Sequence, residues 1–467
     1  MIPQGLLKDL EGVPLETEAS VLRRKSRDYF WYSPVLKRLL DGVQADLVAC
    51  PRDEAEVVRV LRACHAHRVP VTARGAGTGN YGQAMPLSGG LVLDLHHLAQ
   101  VDCSRPGRVV CGPGANIAAV NATLRSARAE ALRIVPSTAA TATLGGFVAG
   151  GSGGLGSVRW GGLRAAGNVL RARVVTCEAQ PRVLELEGED VLKIVHAYGT
   201  TGIVTELELP TTRAEDWVDV IVGLDRWQDA AMLARQLAES DGLMLDEVAF
   251  FVAPLPHDVF PAWRSALRRD QSAVIVMAAP SALEGVLAAA RRARGEIVHR
   301  SDRLSAEARA GLPSVAEMGW NHTTLRALQA DRSITYLQTR YPDLAALERV
   351  HARLGDELPI HVELIRSAGA PSLAGLPLVR FSTEERLREI MRIHEEEGCA
   401  VFDPHVYTLE EGGWRRPEPL LLAFKREADP LGLLNPGKMI AWDRPDFDFG
   451  AGKAFVFSGL ETTTAAT

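Results

Sequence analysis

The sequence predicts an α+β protein. A glycine-rich first part of short strands and helices precedes a second part whose elements are longer and more regular. Three observations carry this. Glycine-rich loops recur near 74–83, 136–154 and 198–205, each beside a short apolar run; glycine thins out from Trp217 onward; and residues 217–299 read strand, helix, strand, strand, helix, strand. That last order is the ferredoxin-like arrangement.

In chain order, Val21 to Ala45, with Arg27-Asp28-Tyr29-Phe30-Trp31-Tyr32 inside it, reads as a helical lead-in covering the core. Asp53 and Glu56 have capping-box spacing, and Val57, Leu61 and Cys64 then share one helical face. The run Val69 to Ala73 reads as a strand leading into Arg74-Gly75-Ala76-Gly77-Thr78-Gly79-Asn80-Tyr81-Gly82-Gln83. Alternating glycines let a ligand approach the backbone closely, and successive amides make a nest for anionic oxygens. The glycines come every second residue and Met85-Pro86 blocks an immediate helix, so the loop fails the dinucleotide fingerprint G-x-G-x-x-G. A nicotinamide-type βαβ unit is therefore disfavoured.

Gly90 to Leu95 and Val109 to Cys111 read as strands, and Ile117, Val120 and Leu124 mark the inner face of a helix. The second glycine cluster holds Pro136, Thr143-Leu144-Gly145-Gly146 and Gly150-Gly151-Ser152-Gly153-Gly154, and it leads through Trp160-Gly161 and Asn168 to a strand at Val169–Thr176. Tyr198 to Thr205 then passes into a strand ending at Leu209. In the second part, strands at 217–222, 245–252, 273–277 and 296–299 alternate with helices at 227–238 and 283–294; residues 301–355 read as mostly helical. Strands follow at 359–365 and 376–381. Ser382-Thr383-Glu384-Glu385 opens a helix, and Ala400 to Tyr407 reads as a last strand. A short helix at 420–428 and a frayed Thr- and Ala-rich tail from Gly459 complete the expectation.

The totals set limits on function. A chain of 467 residues should hold two or three domains. A net charge of −6 gives no basic footprint for nucleic acid or an anionic membrane. No apolar run reaches the ~18 residues of a spanning helix, and the N-terminus lacks a signal-peptide layout. The six cysteines are scattered without a C-x-x-C pair, which suits reduced thiols and a cytoplasmic location.

Four elements in order, Arg74-Gly75-x-Gly77-Thr78, Thr143-Leu144-Gly145-Gly146, Gly202-Ile203-Val204-Thr205 and Asn435-Pro436-Gly437-Lys438, resemble the FAD-linked oxidases of the vanillyl-alcohol oxidase and p-cresol methylhydroxylase (PCMH) type. The nearest look is to the branch of the glycolate oxidase catalytic subunit and D-lactate dehydrogenase. The resemblance implies a two-subdomain PCMH-type FAD-binding domain at 1–215, a ferredoxin-like substrate-binding cap at 216–412, and a C-terminal segment, 413–467, returning to the FAD domain. It implies FAD held by Arg74, Gly75, Ala76, Gly77, Thr78, Gly79, Asn80, Gln83, Pro136, Thr143, Gly145, Gly146, Gly150, Gly153, Gly202, Ile203, Val204, Asn435 and Lys438. Neither glycine loop offers a histidine or cysteine as a tether, so noncovalent FAD is expected.

Oxidation of an alcohol by flavin needs a base for the hydroxyl proton, usually histidine, and an arginine suits a substrate carboxylate. The candidates are His405 and Tyr407, on one face of the expected strand with Asp403; Asn321 and His322 beside Trp320; and His361, one residue from Glu363, with Arg366 soon after. The Gly-His-x-Gly-Asp-Gly-Asn-x-His metal motif typical of the hydroxy-acid branch is absent, as is its later Glu-His pair, so no metal is expected. The resulting expectation is an FAD-dependent oxidoreductase that oxidises a small alcohol or 2-hydroxy acid, with a histidine base, and passes electrons to oxygen or another acceptor. Oxidation of a polyol, lactone, aromatic alcohol or amine, or service as a flavoprotein subunit of an electron-transfer complex, are the alternatives; a homo-oligomer is compatible with either.

Overall fold

The computed structural model describes residues 2–412, 419–444 and 446–448. The Gly459 tail lies outside the described residues, as does much of the segment 413–467. Two sheets occupy the first part. In one, strands Leu47–Ala49 and Val71–Arg74 flank Leu91–Asp94 in parallel, with Leu15–Glu16 antiparallel at the edge. The other is antiparallel and centres on the long strand Ile203–Arg213, paired with Arg108–Cys111, Arg171–Val175 and Glu130–Leu132. Helix Glu54–His67 starts at Asp53, whose side chain accepts from the Glu56 amide. The lead-in is two short helices, Ala19–Lys25 and Pro34–Leu40, separated by a 3₁₀ turn at Phe30–Tyr32.

The third sheet has eight strands: β1 (Val218–Leu224), β2 (Leu245–Phe251), β3 (Ser272–Ala278), β4 (Glu296–Arg300), β5 (Gln338–Tyr341), β6 (His361–Ser367), β7 (Ala370–Gly375) and β8 (Ala400–Phe402). Their order across the sheet is β4-β1-β3-β2-β6-β7-β5-β8. The first four, with helices Trp227–Glu239 and Leu283–Arg292, form the expected ferredoxin-like unit. The last four, with helices Leu344–Leu354 and Glu384–Glu396, repeat the same order in mirror sequence, and the two units join where β2 pairs antiparallel with β6. The stretch 301–355 is thus less helical than its sequence suggests, because it contains strand Ile334–Tyr336 as well as β5.

Side chains alternate across a strand, so this sheet has two distinct faces. Val220, Val222, Phe250, Val274, Val276 and Val362 pack under the helices. Ile221, Ala249, Phe251, Ile275 and Ala374 face the other way, in one cluster with Tyr32, Tyr81, Met318 and Tyr336. The second face therefore closes over the glycine-loop side of the molecule. The chain end also returns there: the Val71 amide donates to the Leu433 carbonyl at 2.8 Å, and the Asn435 amide to the Val71 carbonyl at 2.7 Å.

Candidate active site

Strand Val71–Arg74 ends in a parallel sheet, and the chain leaves its C-terminal end directly into the first glycine loop. This loop, the second at 136–153 and the third at 198–204 line one cleft with the second face of the large sheet. The cleft has about 1790 Å³ of empty space counted to its open mouth. Its far wall is Trp320 and Asn321, Gln338 and Thr339 of β5, and Ala374 to Leu376 at the end of β7. Asp28, Tyr29 and Tyr32 of the lead-in complete it.

The loops are tied to one another by side chains. Gln83 Nε2 donates to the Gly150 carbonyl at 3.0 Å. Asn435, held at φ 42°, donates to the Gln83 and Tyr198 carbonyls at 2.9 and 2.7 Å. The buried His196 Nδ1 lies 3.0 Å from the Gly151 carbonyl. Lys438, fully buried, donates to the Gly82 carbonyl at 2.5 Å and sits 4.8 Å over the Tyr407 ring. Burial depresses its ammonium pKa, against the pull of the Asp28 carboxylate. Burial likewise raises the Asp28 carboxyl, opposed by Lys438 and by the amides of Ala84 and Phe30.

The loops fit an anionic, phosphate-bearing group. Among the described residues, no protein acceptor meets the amides of Gly75 to Asn80. The Thr143 hydroxyl is buried in the same place without a partner. A Cβ on Gly75 would come within 2.1 Å of that hydroxyl oxygen, and one on Gly79 within 2.2 Å of Gln83 Oε1. These bare backbones keep the cradle open, and buried polar groups of this kind need a partner.

Of the expected cofactor residues, the seventeen from Arg74 to Val204 all line the cleft. Asn435 and Lys438 do not border it but brace its loops from behind. Of the expected catalytic residues, only Asn321 lines it. His322 stands at the rim, with Nε2 2.8 Å from the carbonyl of Ser137, itself a lining residue. His405 is buried away from the cleft: Nδ1 lies 2.8 Å from Ser33 Oγ and Nε2 3.0 Å from the Tyr336 carbonyl, so both nitrogens are engaged. Burial lowers its pKa. Strand β8 stops at Phe402, because Pro404 has no amide to pair and the Asp403 side chain accepts from the His405 amide at 2.8 Å. The strand alternation expected for Asp403, His405 and Tyr407 therefore does not exist. Tyr407 packs with Phe30, Leu36 and Met85, and Arg366 pairs with Asp241 at 2.9 Å on the surface.

His361 lies beneath the cap wall. Its Nε2 is 2.8 Å from Glu363 Oε1, its ring stacks on Phe251, and burial lowers its pKa to about 3. Glu363 Oε1 also accepts from the Trp320 amide at 2.6 Å, and Glu247 Oε2 from the Trp320 indole at 3.2 Å. Burial and the Glu363 charge push Glu247 well above the carboxylate range. The pair holds Trp320 at φ 51° and so sets the wall it shares with Asn321. Sequence reading missed Gln338, which lies in a strand read as helix, and Tyr81, which stands inside the quoted loop. The alternation of Tyr336, Gln338 and Arg340 was the available signal.

Comparisons with known proteins agree with this architecture. Residues 45–185 match the family model described as an FAD binding domain. The chain is 29% identical over 174 residues to glycolate oxidase subunit GlcD of Bacillus subtilis, covering 34% of this chain and 36% of the relative. It is 27% identical over 171 residues to D-lactate dehydrogenase of Archaeoglobus fulgidus, covering 34% and 37%. Each match thus spans little more than a third of the relative's length. A solved structure of alkyldihydroxyacetonephosphate synthase superposes with a TM-score of 0.72 at 15% identity, covering 94% of this chain and 85% of that one. Among the described residues no helix is long and apolar enough to cross a membrane. The chain therefore carries an FAD binding domain of the type found in FAD-linked oxidases, within a PCMH-like α+β fold.

Proposed function

We propose that the protein is an FAD-dependent oxidoreductase acting on the CH–OH group of a small alcohol or hydroxy acid. The observation that carries this is the cleft in which a row of unpaired loop amides faces a cap wall of aromatic and amide side chains. When bound, the flavin supplies the hydride acceptor, and the protein supplies orientation and proton handling. The loop amides and the Thr143 hydroxyl hold the cofactor's anionic part. No histidine or cysteine lines the cleft among the described residues, which supports noncovalent retention. The base is assigned to His322, which borders the cleft through the lining residue Ser137: its Nε2–H donates to the Ser137 carbonyl, leaving Nδ1 without a proton. Burial keeps Tyr81 and Tyr32 protonated, and the Tyr81 hydroxyl, accepting from Gln338 Nε2, ties the first loop to the opposite wall.

The purified protein should show a flavin band that passes into the supernatant on acid precipitation, and substrate should bleach it without oxygen. His322→Gln should lower kcat by about 100-fold or more, whereas His405→Gln should lower stability and leave the pH profile of kcat in place. A colourless protein that takes up no FAD would defeat the reading.

A further inference from the structure

Two buried acids stand behind the cap wall, and the oxidation gives them no step. Glu247 lies on β2 and Glu363 on the neighbouring β6, and their carboxyl groups hydrogen-bond to each other. Glu363 Oε1 accepts from the Trp320 amide at 2.6 Å and from His361 Nε2 at 2.8 Å. Two N–H donors on one oxygen favour the carboxylate there, so Glu247 is the acid that donates. Its Oε2 in turn accepts from the Trp320 indole at 3.2 Å. Burial keeps His361 neutral at working pH, and among the described residues neither acid pairs with a lysine or arginine. Two carboxylates without a cation in a dry site hold one proton between them.

These bonds converge on the start of helix Trp320–Ala330. Its N-cap is Gly319, which has no side chain to cap the first turn. A Cβ there would stand 2.9 Å from Glu247 Oε1 and 3.1 Å from Glu363 Oε1, so the two carboxyls take the place of a cap. Glu363 satisfies a first-turn amide, and its charge meets the positive end of the helix. Trp320 sits at φ 51°, which a bulky residue keeps only when held. Apolar side chains of the same volume would fill this space at little cost in stability, but they would give Trp320 no directed acceptors. The same turn carries Asn321 into the cleft and His322 to the Ser137 carbonyl.

We propose that Glu247 and Glu363 are positioning residues, a carboxylic acid and a carboxylate that together hold Trp320 by its amide and its indole and so present Asn321 and His322 to the cleft. This rests on the oxidoreductase reading above and adds the groups that set its base in place. The titratable groups facing Glu247 are Glu363 and His361 of β6 and, beside it on β2, Asp246, which faces Arg159. As rising pH takes the shared proton, the two charges repel and the hold on Trp320 loosens.

The test is nuclear magnetic resonance of the purified protein, with the Trp320 indole and His322 ring signals assigned through Trp320→Phe and His322→Gln. In the wild type the Trp320 indole signal should move as the pH is raised from about 5 to about 10. Glu247→Gln keeps a donor for Glu363 and an acceptor for the indole, so it should leave the signal in place and abolish its pH response. Glu247→Leu keeps neither. It should speed indole exchange with solvent about tenfold or more, the loss of one buried hydrogen bond, and shift the His322 ring signal. If Glu247→Leu does not fold, the wild type against Glu247→Gln decides. An indole signal that ignores pH in the wild type, a pH response that persists in Glu247→Gln, or a folded Glu247→Leu with both signals unmoved would overturn the proposal. Failure of the parent reading is seen elsewhere, in a visible spectrum without flavin or a flavin that no alcohol bleaches, and leaves these signals as described.

Discussion

The two walls of the cleft are made from opposite kinds of chain. The loop wall uses backbone: glycines remove side chains so that amides face the cleft, and the few side chains involved, Gln83, Asn435 and Lys438, hold loops to one another. The cap wall uses side chains, Trp320, Asn321 and Gln338, presented by a helix start and a strand whose positions are set by distant β-pairing. A wall of amides can serve any phosphate-bearing cofactor of one type, so it is written locally as glycine spacing. A wall of side chains can discriminate among ligands, and its members come from separate parts of the chain.

The contrast can be broken most severely at Gly145, where a Cβ would stand 2.4 Å from Pro113 Cβ, against rigid neighbours. Gly145→Val should abolish flavin retention and reduce stability by about 3 kcal/mol or more, read by visible absorbance and urea unfolding. A variant that kept full flavin content would show that the loop wall tolerates side chains after all.

Next in size is the brace behind the loops. Lys438→Met leaves the buried Asp28 carboxyl without its cation and should lower stability by about 3–5 kcal/mol. Adding Asp28→Asn should recover a good part of this. If the double variant is no better than the single one, the two groups are not coupled.

The smallest effect is expected under the cap wall and depends on pH. Glu247 in the fold holds its proton above the usual carboxylate range, while in the unfolded chain it ionises near 4.5. Above that pH the folded state binds more protons than the unfolded one, so this group's contribution falls as pH rises toward the folded pKa. Glu247→Gln removes the liability. It should be near neutral in stability at pH 4 and stabilising by about 1–3 kcal/mol at pH 8, measured by thermal unfolding at both. A benefit that grows as pH falls would contradict the sign.

Reading the sequence reached the loop wall almost residue by residue, because glycine spacing acts over a few positions. It reached the first ferredoxin-like unit too, since Trp217 to His299 carries clear periodicity. The second unit was obscured because β5 is only four residues long and sits between helices. The histidines misled for a related reason. His405 sits in a polar run and His361 shares a strand face with Glu363, patterns that resemble sites, yet Ser33 and the Tyr336 carbonyl claim the one, and Glu363 with Phe251 the other.

By itself, the sequence determined the α+β class and the glycine loops that line the cleft, since these follow from backbone freedom and short-range spacing; FAD entered through the family resemblance those loops carry. Only the tertiary structure decided which side chains face the cleft across from the loops. Trp320, Gln338 and Tyr81 lie more than two hundred residues apart at the extremes and meet because two sheets pack face to face. Burial then settled the rest: it turned His405 into a structural link between Ser33 and the Tyr336 carbonyl.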